Sequence, residues 1–437
     1  MEEILSQAKK LAKQAEVFQV SSKVTPVRFE ANLLKQIQSK ESINTAVRII
    51  KGGKVGFSQA NGFIEPKRLV DMAAETCQFG SPAKFSFPTQ KVYPKIEIFD
   101  SQTDKVTIED MVELGEQLIS SIKQHTPDIL CEASVTKGTI SVAIINSEGG
   151  EASYGKSFFS LSLEGVLIKN EDMLFVGDSH SSCHPILDFR PVAEEVTRQL
   201  ELAKRNVSMP TRPMPVIFTP NGVASSLIAP LMSAFNGKLV FDGASPLKNK
   251  LGEQAFDKKF SLWDDATLPY QVASYPNDDE GVPSQRTPLI DNGVVSHFFY
   301  DLHTAALANT TSTGNGSRNG GLPTPAPSSL VIGNGDTTFE DMVRDIKEGL
   351  VVELLIGAEQ GNVLNGDFSG NVLLGYKVDG GEITGRVKDT MVYGNVYQLL
   401  KQIEAIGQKS RWVEGFLLTP CLYCSSLSVA TKTGGAT

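Results

Sequence analysis

The residues His180, Cys183 and His184 form the one His/Cys cluster of this sequence. Imidazole nitrogens and a thiolate are ligands that zinc accepts, and three such groups on a loop can reach one ion. Their spacing matches no established structural zinc pattern, and the sequence indicates no fourth ligand. A zinc site and a chance cluster at the surface both stay open, and the spacing favours the second.

The thiols Cys421 and Cys424 have the CxxC spacing of redox-active sites. Such sites lie at the start of a helix, whereas residues 419–430 alternate in hydrophobicity like a β-strand. On a strand, an odd separation sends the two side chains to opposite faces. The pattern therefore favours two buried or half-buried thiols over a redox centre.

Two further histidines, His297 and His303, flank the residues FFYDL. Their even separation on a predicted strand would place them on one face, where a hydrolase triad with nearby Ser, Asp or Tyr is conceivable. The sequence has no G-x-S-x-G elbow or comparable setting for a nucleophile. We therefore interpret both histidines as structural.

Three Gly/Asn-rich segments, 278–295, 311–321 and 361–385, separate short apolar strands. Such loops let main chain, or a ligand, approach main chain closely. No GxxxxGK[ST] phosphate loop is present, and residues 314–316 do not join a strand to a helix start. For Asp279, Glu280 and Gly281, a subunit or groove contact competes with a solvated acidic turn, and the turn is favoured.

Pro-rich seams at 81–94 and 207–215 divide the chain into predicted domains 1–80, 95–206 and 212–437. We expect a helix over 3–15, a hairpin turn at Gly52-Gly53 and a turn at Asn292-Gly293. We also expect a helix that begins after Thr107 and one over 337–349 with a terminal Gly. The apolar stripe of the Thr107 helix comprises Met111, Leu114, Leu118, Ile119 and Ile122.

The composition is that of a soluble globular chain of 437 residues, with 41% hydrophobic and 21% charged residues. The net charge of −9 disfavours nucleic acid and anionic membranes as partners. No apolar run is long enough to span a bilayer. Five scattered cysteines without a secretion signal predict reduced thiols and a cytoplasmic location.

The segments NGDFSGN (365–371), GYKVDGGEI (375–383) and TGNGSR (313–318) resemble the TldD/PmbA family, in its PmbA (TldE) branch. The TldD branch carries the zinc-binding HExxxH, which aligns here with Ile228-Ala229-Pro230-Leu231-Met232-Ser233. Isoleucine offers no lone pair to a metal, and alanine takes no proton. A Cys ligand of that branch would fall near residues 408–412, where this sequence has QKSRW.

The resemblance implies an α+β fold, with two small N-terminal α/β units followed by a large β-rich C-terminal domain of the TldD/PmbA type. It implies that Gly314, Asn315, Gly316 and Arg318 lie near bound peptide, where Arg318 would hold a carboxylate or a carbonyl. The alternative is that Asn315 and the glycines only satisfy a tight loop.

The resemblance further implies a subunit that is inactive alone, with no catalytic residue, metal or cofactor of its own. Its partner would be a TldD-like zinc protease, in a heterodimer that cuts unfolded or short peptides. The alternative function is a stand-alone homodimer that binds peptides or modulates gyrase or a toxin–antitoxin system. Whether the chain is an enzyme in its own right stays open at this point.

Overall fold

The computed structural model describes residues 1–358 and 361–431. The predicted C-terminal domain 212–437 thus contains two stretches, 359–360 and 432–437, that lie outside the described residues. The N-terminal strands are β1 (Gln14–Glu30), β2 (Leu33–Ile37), β3 (Lys40–Lys51), β4 (Lys54–Asn61), β5 (Leu130–Asn146), β6 (Glu151–Lys169) and β7 (Asp172–Ser182). The helices among them are α1 (Glu2–Leu11), α2 (Pro66–Thr76), α3 (Gln102–Lys105), α4 (Ile108–His125) and α5 (Arg190–Leu202).

These seven strands form one antiparallel sheet in the order β4-β3-β1-β5-β6-β7, with β2 paired to β1. The central pair, β1 with β5, runs from Glu16 opposite Asn146 to Phe29 opposite Ala133. The two predicted N-terminal units therefore share a sheet. The hairpin between β3 and β4 is confirmed, since Gly52 and Gly53 both have positive φ.

The helix after Thr107 is confirmed together with its cap. The Thr107 side chain accepts from the Asp110 main-chain N–H, and the Asp110 carboxylate accepts from the Thr107 N–H, which is a capping box. The predicted stripe is buried against the sheet. The helix expected over 3–15 ends earlier, at Leu11, because β1 begins at Gln14.

The C-terminal domain is a twelve-stranded mixed sheet with helices on both faces and a separate two-stranded ribbon. Its strands are β8 (Asn206–Val207), β9 (Arg212–Phe218), β10 (Leu262–Asp265), β11 (Arg286–Asp291), β12 (Val294–Val295), β13 (Gly316–Ser317), β14 (Thr324–Pro325), β15 (Leu330–Ile332), β16 (Glu348–Ile356), β17 (Asp367–Asp379), β18 (Glu382–Val387), β19 (Thr390–Asn395), β20 (Ile403–Val413) and β21 (Leu417–Thr431). Its helices are α6 (Pro220–Phe235), α7 (Gly237–Phe241), α8 (Leu302–Leu307), α9 (Phe339–Asp345) and α10 (Val396–Leu399).

Side-chain alternation along β9 shows how this sheet is covered. Val216 and Phe218 pack in the core that contains α6, whereas Ile217 packs in the core that contains α4 and α5. Because successive residues of a strand point to opposite faces, one strand supplies both cores. The middle and C-terminal domains thus share a hydrophobic core.

Two expectations about the C-terminal domain have different outcomes. The Asn292-Gly293 turn is confirmed, with positive φ at both residues between β11 and β12. The helix over 337–349 is shorter than expected, because α9 ends at Asp345 and the expected terminal Gly349 lies inside strand β16. The described residues contain no helix long and apolar enough to cross a membrane.

Candidate functional site

The helix α6 carries residues 228–233, the positions where the resemblance expects the counterpart of HExxxH. Its Thr219 cap accepts from the Gly222 N–H, and Pro220 takes the first helical position. Ile228 is buried in the apolar core, and the Pro230 carbonyl accepts from the Tyr397 hydroxyl at 3.2 Å. Neither Ile228 nor Ala229 has a side-chain atom that binds a metal, so this helix does not fit the zinc ion of the TldD branch.

The TGNG loop is held by buried hydrogen bonds. The Asn315 amide donates to Asp264 Oδ2 at 2.7 Å and to the Ala326 carbonyl at 3.0 Å. The Gly316 N–H donates to Asp278 Oδ2 at 2.8 Å. A Cβ on Gly316 would stand 2.5 Å from Glu280 Oε2, so only glycine fits there. These contacts are those of a tight loop, and peptide contact stays a prediction.

Arg318 follows this loop and is also enclosed by protein. Its Nε donates to the Asp279 carbonyl at 3.1 Å, its Nη2 pairs with Glu16, and its guanidinium lies 4.9 Å from the Phe18 ring centroid. Burial lowers the pKa of Arg318, although Glu16 opposes this effect. In this structure Arg318 therefore joins the C-terminal loop to strand β1.

A second arginine, Arg48 on β3, completes this ionic cluster. Arg48 donates to Glu16 at 3.0 Å and to Glu280 at 2.5 Å, and all three side chains are at most 2% exposed. The rings of Phe85 and Phe87, from the seam 81–94, lie 5.2 and 5.0 Å from its guanidinium carbon. Burial lowers the pKa of Arg48, but the two ion pairs outweigh it and the net pKa is raised.

The expectation of a solvated acidic turn at Asp279, Glu280 and Gly281 is wrong. Glu280 is fully buried, and its Oε2 also accepts from the Leu302 N–H at 2.6 Å. The preceding Asp278 accepts from the Glu280 and Val282 main chain, and burial raises its pKa well above the ordinary value. The acids face Arg48 and Arg318 rather than water, so the turn joins the first domain to the C-terminal domain.

The sequence reasoning missed Glu16 and Arg48, the N-terminal half of this cluster. A signal was present, because each stands as a lone charge within a run of apolar residues, Ala15 to Phe18 and Ala46 to Ile50. Charged residues are rarely buried unless they are paired. Their partners lie 232 and 302 positions away, so the sequence did not reveal them.

The His180/Cys183/His184 residues separate in the fold. His180 lies within strand β7, not on a loop, and Cys183 is buried rather than at the surface. His184 Nδ1 lies 2.7 Å from Asp100 Oδ2, and its ring stacks on Tyr270 with centroids 3.7 Å apart. Within residues 1–358 and 361–431, no group of three or more His, Cys, Asp or Glu side chains is arranged to hold a metal ion.

The other two predicted pairs, Cys421 with Cys424 and His297 with His303, also form no reactive site in the structure. Cys421 and Cys424 lie on strand β21 and pack in different cores, as expected for opposite faces. Burial raises the pKa of Cys421 to about 12, which keeps it a thiol at neutral pH. The expected single strand through His297 and His303 is wrong, because β12 ends at Val295 and His303 lies in helix α8.

Comparisons with known proteins cover most of the chain. The PmbA/TldA metallopeptidase C-terminal domain matches residues 211–431, domain 1 of that family matches residues 15–77, and its central domain matches residues 102–204. An uncharacterized protein of Methanocaldococcus jannaschii is 28% identical over 96% of this chain and 97% of its own length. A protein of Methanothermobacter thermautotrophicus named metalloprotease is 24% identical over 91% of this chain and 88% of its own length.

The crystal structure of TldE from Thermococcus kodakarensis has the same fold. It superposes with a TM-score of 0.89 at 24% identity, covering 98% of this chain and 99% of the TldE chain. Because the matched C-terminal domain alone spans more than half of the sequence, the chain belongs to the PmbA/TldD family of metallopeptidase-related proteins.

Proposed function

We propose that this chain is the non-catalytic, TldE/PmbA-type subunit of a TldD–TldE zinc metalloprotease complex. The observation that carries this proposal is that helix α6 has Ile228, Ala229 and Ser233 at the positions where the resemblance expects the metal ligands and the general base of HExxxH. The Ile228 side chain packs in the hydrophobic core, so at this position an apolar core residue stands where a metal ligand would be expected. Zinc and the chemistry would belong to a TldD-like partner.

The substrate class proposed is unfolded or short peptides, processed in the cytoplasm. The name metalloprotease of the archaeal relative and the name TldE of the structural neighbour support this proposal without testing it. The loop 313–318 would contribute by its shape, because the Asn315 side-chain amide donates to Asp264 and the Arg318 main-chain N–H donates to Asp279. A peptide near this loop would meet a rigid wall.

The test is a peptidase assay on reduced, carboxymethylated α-lactalbumin. The samples are this chain alone, an HExxxH-bearing TldD-type relative alone, and the two mixed. We expect cleavage in the mixture that exceeds the sum of the separate rates and that a chelator abolishes. The matched control is the TldD-type relative with the Glu of its HExxxH replaced by Gln, which should form the complex without cleaving.

Two results would contradict the proposal. Cleavage by this chain alone would mean that an unrecognised site does chemistry. Failure to co-elute with the TldD-type relative in gel filtration, together with a homodimeric mass, would instead favour the stand-alone homodimer. The three outcomes are separated by activity and mass, so each identifies one function.

A further inference from the structure

The two outer strands of the N-terminal sheet, β4 and β7, are each partly covered by other groups of the chain, and such cover protects sheet edges. Beside β4, Val55 N–H donates to the Ser81 carbonyl at 3.0 Å and Ala83 N–H donates to the Gly53 carbonyl at 2.8 Å. Beside β7, the Gln199 amide bonds both the N–H and the carbonyl of Gly177. The chain thus protects these edges with its own groups.

One stretch of edge is left open. Strand β2 and the start of β3, residues 33–42, pair on their inner side with β1 only. Among the described residues, no other strand pairs with their outer side, and every residue of this stretch is exposed. We call residues 33–42 the free edge. Its outward N–H and carbonyl groups are a template for an added strand.

The free edge carries exposed apolar side chains among polar ones. Leu33 is 73% exposed, and Ile37 and Ile43 are also exposed, while Phe63 beside Ile43 is 98% exposed. Two exposed ion pairs lie here, Lys35 with Glu30 at 3.6 Å and Lys23 with Glu41 at 3.3 Å, and Lys40 adds a further cation. An added strand would therefore meet exposed apolar side chains set among polar ones, with Lys35 and Lys40 as the cations of the row.

A cavity of about 680 Å³ opens beside the end of the free edge that contains Glu41 and Ser42. Its lining includes Glu41, Ser42, Ile43 and Phe63, together with Ser21 of β1 and Ser141 of β5. That volume lies in the range of ligand-binding pockets. In strand addition, main-chain bonds supply affinity and pockets for alternate side chains supply selectivity. The free edge has both parts.

We propose that the free edge takes up an extended segment of an unfolded peptide as an added β-strand, with neutral or apolar side chains entering the cavity. The ligand class rests on the proposed function. A peptide fits better than a folded sheet because the edge breaks at Gln38-Ser39, which Pro26 and Thr25 hold in place. A flexible peptide follows both halves of a broken edge, whereas a straight strand pairs with one.

A second copy of the chain is a poorer occupant. Symmetric antiparallel pairing of β2 with itself about its centre would set Lys35 opposite Lys35 of the second copy. Like charges directly opposite each other destabilise a strand pair. The sequence of β2 therefore disfavours self-association and leaves the main chain open to a neutral peptide.

The experiment is fluorescence anisotropy with a fluorescein-labelled decapeptide of alternating Val and Thr. A second decapeptide carries Pro at alternate positions and cannot pair with an edge. We expect the full chain to bind the first peptide at least about tenfold more tightly than the second. Equal binding of the two peptides, or no binding of either, would overturn the proposal.

Two variants locate the site. Gln36→Pro should weaken binding of the Val/Thr peptide by disrupting the edge, and Phe63→Ser should weaken it about fivefold through the rim of the cavity. Phe63 is almost fully exposed, so its replacement tests the site even if Gln36→Pro disturbs the hairpin. The matched control is Leu187→Ser, an exposed apolar residue elsewhere, which should bind like the unmodified chain. Unchanged binding in both edge variants would place the peptide elsewhere and sink the proposal.

The peptidase mixture separates this inference from the proposed function. If the mixture is active but the chain binds no peptide, the free-edge proposal falls and the complex stands. If the chain binds the Val/Thr peptide at the free edge but does not stimulate the TldD-type relative, the complex falls and the free-edge site stands. If the unmodified chain binds no peptide and forms a homodimer that Gln36→Pro disrupts, the free edge is a subunit contact instead.

Discussion

Arg48 holds two carboxylates in a place from which water is excluded. Its partners Glu16 and Glu280 come from the N-terminal sheet and from the C-terminal domain, and Arg318 pairs with Glu16 from the other side. Removing two charges from water is costly, and only their mutual attraction and hydrogen bonds offset that cost. Loss of one member therefore leaves an uncompensated buried charge.

Replacing Arg48 by Met tests this cluster. Met keeps most of the buried volume but leaves Glu280 without its cation, so we expect the free energy of unfolding to fall by about 3–5 kcal/mol. Equilibrium urea unfolding measures the change. The control is Lys67→Met, which removes an exposed pair with Asp71 and should leave stability unchanged within error. Equal effects of the two variants would show that the cluster contributes nothing special.

Asp264 is a second buried charge, held by the TGNG loop. Its carboxylate accepts from Asn315 and from the Ser328 N–H and hydroxyl, yet burial raises its pKa to about 6. Below pH 3.8 both the folded and the unfolded chain protonate this group. Between its unfolded value of 3.8 and its folded value of about 6, the folded chain holds the extra proton. Stability therefore falls as the pH rises through this window.

Asp264→Asn should reduce this pH dependence. From the two pKa values we expect Asp264 to contribute a fall of about 2 kcal/mol in unfolding free energy between pH 4 and 6, which the variant lacks. Urea unfolding at pH 4.5, 5.5 and 6.5 measures the slope. The exposed Asp291→Asn serves as the matched control and should keep the slope of the unmodified chain. An identical slope in Asp264→Asn would contradict the assignment.

The helix α4 shows how local sequence places an element. Thr107 and Asp110 satisfy two otherwise unpaired N–H groups at its start, and acids occupy its first turn. Its apolar stripe then packs on the sheet. Helix α9 has the same Thr cap, but its end was not set locally, because the Ile346 carbonyl accepts from Gly381 and the chain enters β16.

Thr107→Ala tests the cap of α4. The alanine leaves the Asp110 N–H without its acceptor, so we expect a loss of about 1 kcal/mol in unfolding free energy. Urea unfolding again gives the value. The control is Ser120→Ala on the exposed face of the same helix, where the change favours the helix slightly. A Thr107→Ala variant as stable as Ser120→Ala would mean that the capping box does not contribute.

At the scale of the molecule, the N-terminal sheet joins segments that the Pro-rich seams had separated. Strand β1 lies between β3 and β5 and pairs with both along its length. In a fragment of the first 80 residues β5 is missing, so the edge of β1 that pairs with β5 would be exposed. An exposed strand of this length is a template for aggregation.

A fragment of residues 1–80 should not fold by itself. We expect an aggregated or disordered product, whereas residues 1–206 contain the full seven-stranded sheet and should give a strand-rich far-UV circular dichroism spectrum. Gel filtration and circular dichroism of the two fragments make the comparison. A monomeric, strand-rich 1–80 fragment would show that the shared sheet is not required for folding.

The sequence by itself determined the features that depend on neighbouring residues or on residue type. The cap at Thr107, the Gly52-Gly53 hairpin and the Asn292-Gly293 turn follow from local geometry. That Ile228 and Ala229 offer no metal ligand follows from the atoms that their side chains lack. The α+β fold and the family followed from these patterns and from the resemblance of the Gly-rich segments.

Only the tertiary structure decided where the charged residues of the C-terminal loops lie. From the sequence we expected Glu280 at the surface and Arg318 near a ligand. In the structure they form ion pairs with Arg48 and Glu16, which lie more than 200 positions away in the chain. The tertiary structure also shows that His303 lies in a helix rather than in the expected strand, and that the strands of the two predicted N-terminal units form one sheet. Pairing between distant residues has no local signature, because the free energy of a buried ion pair depends on which groups the fold brings together.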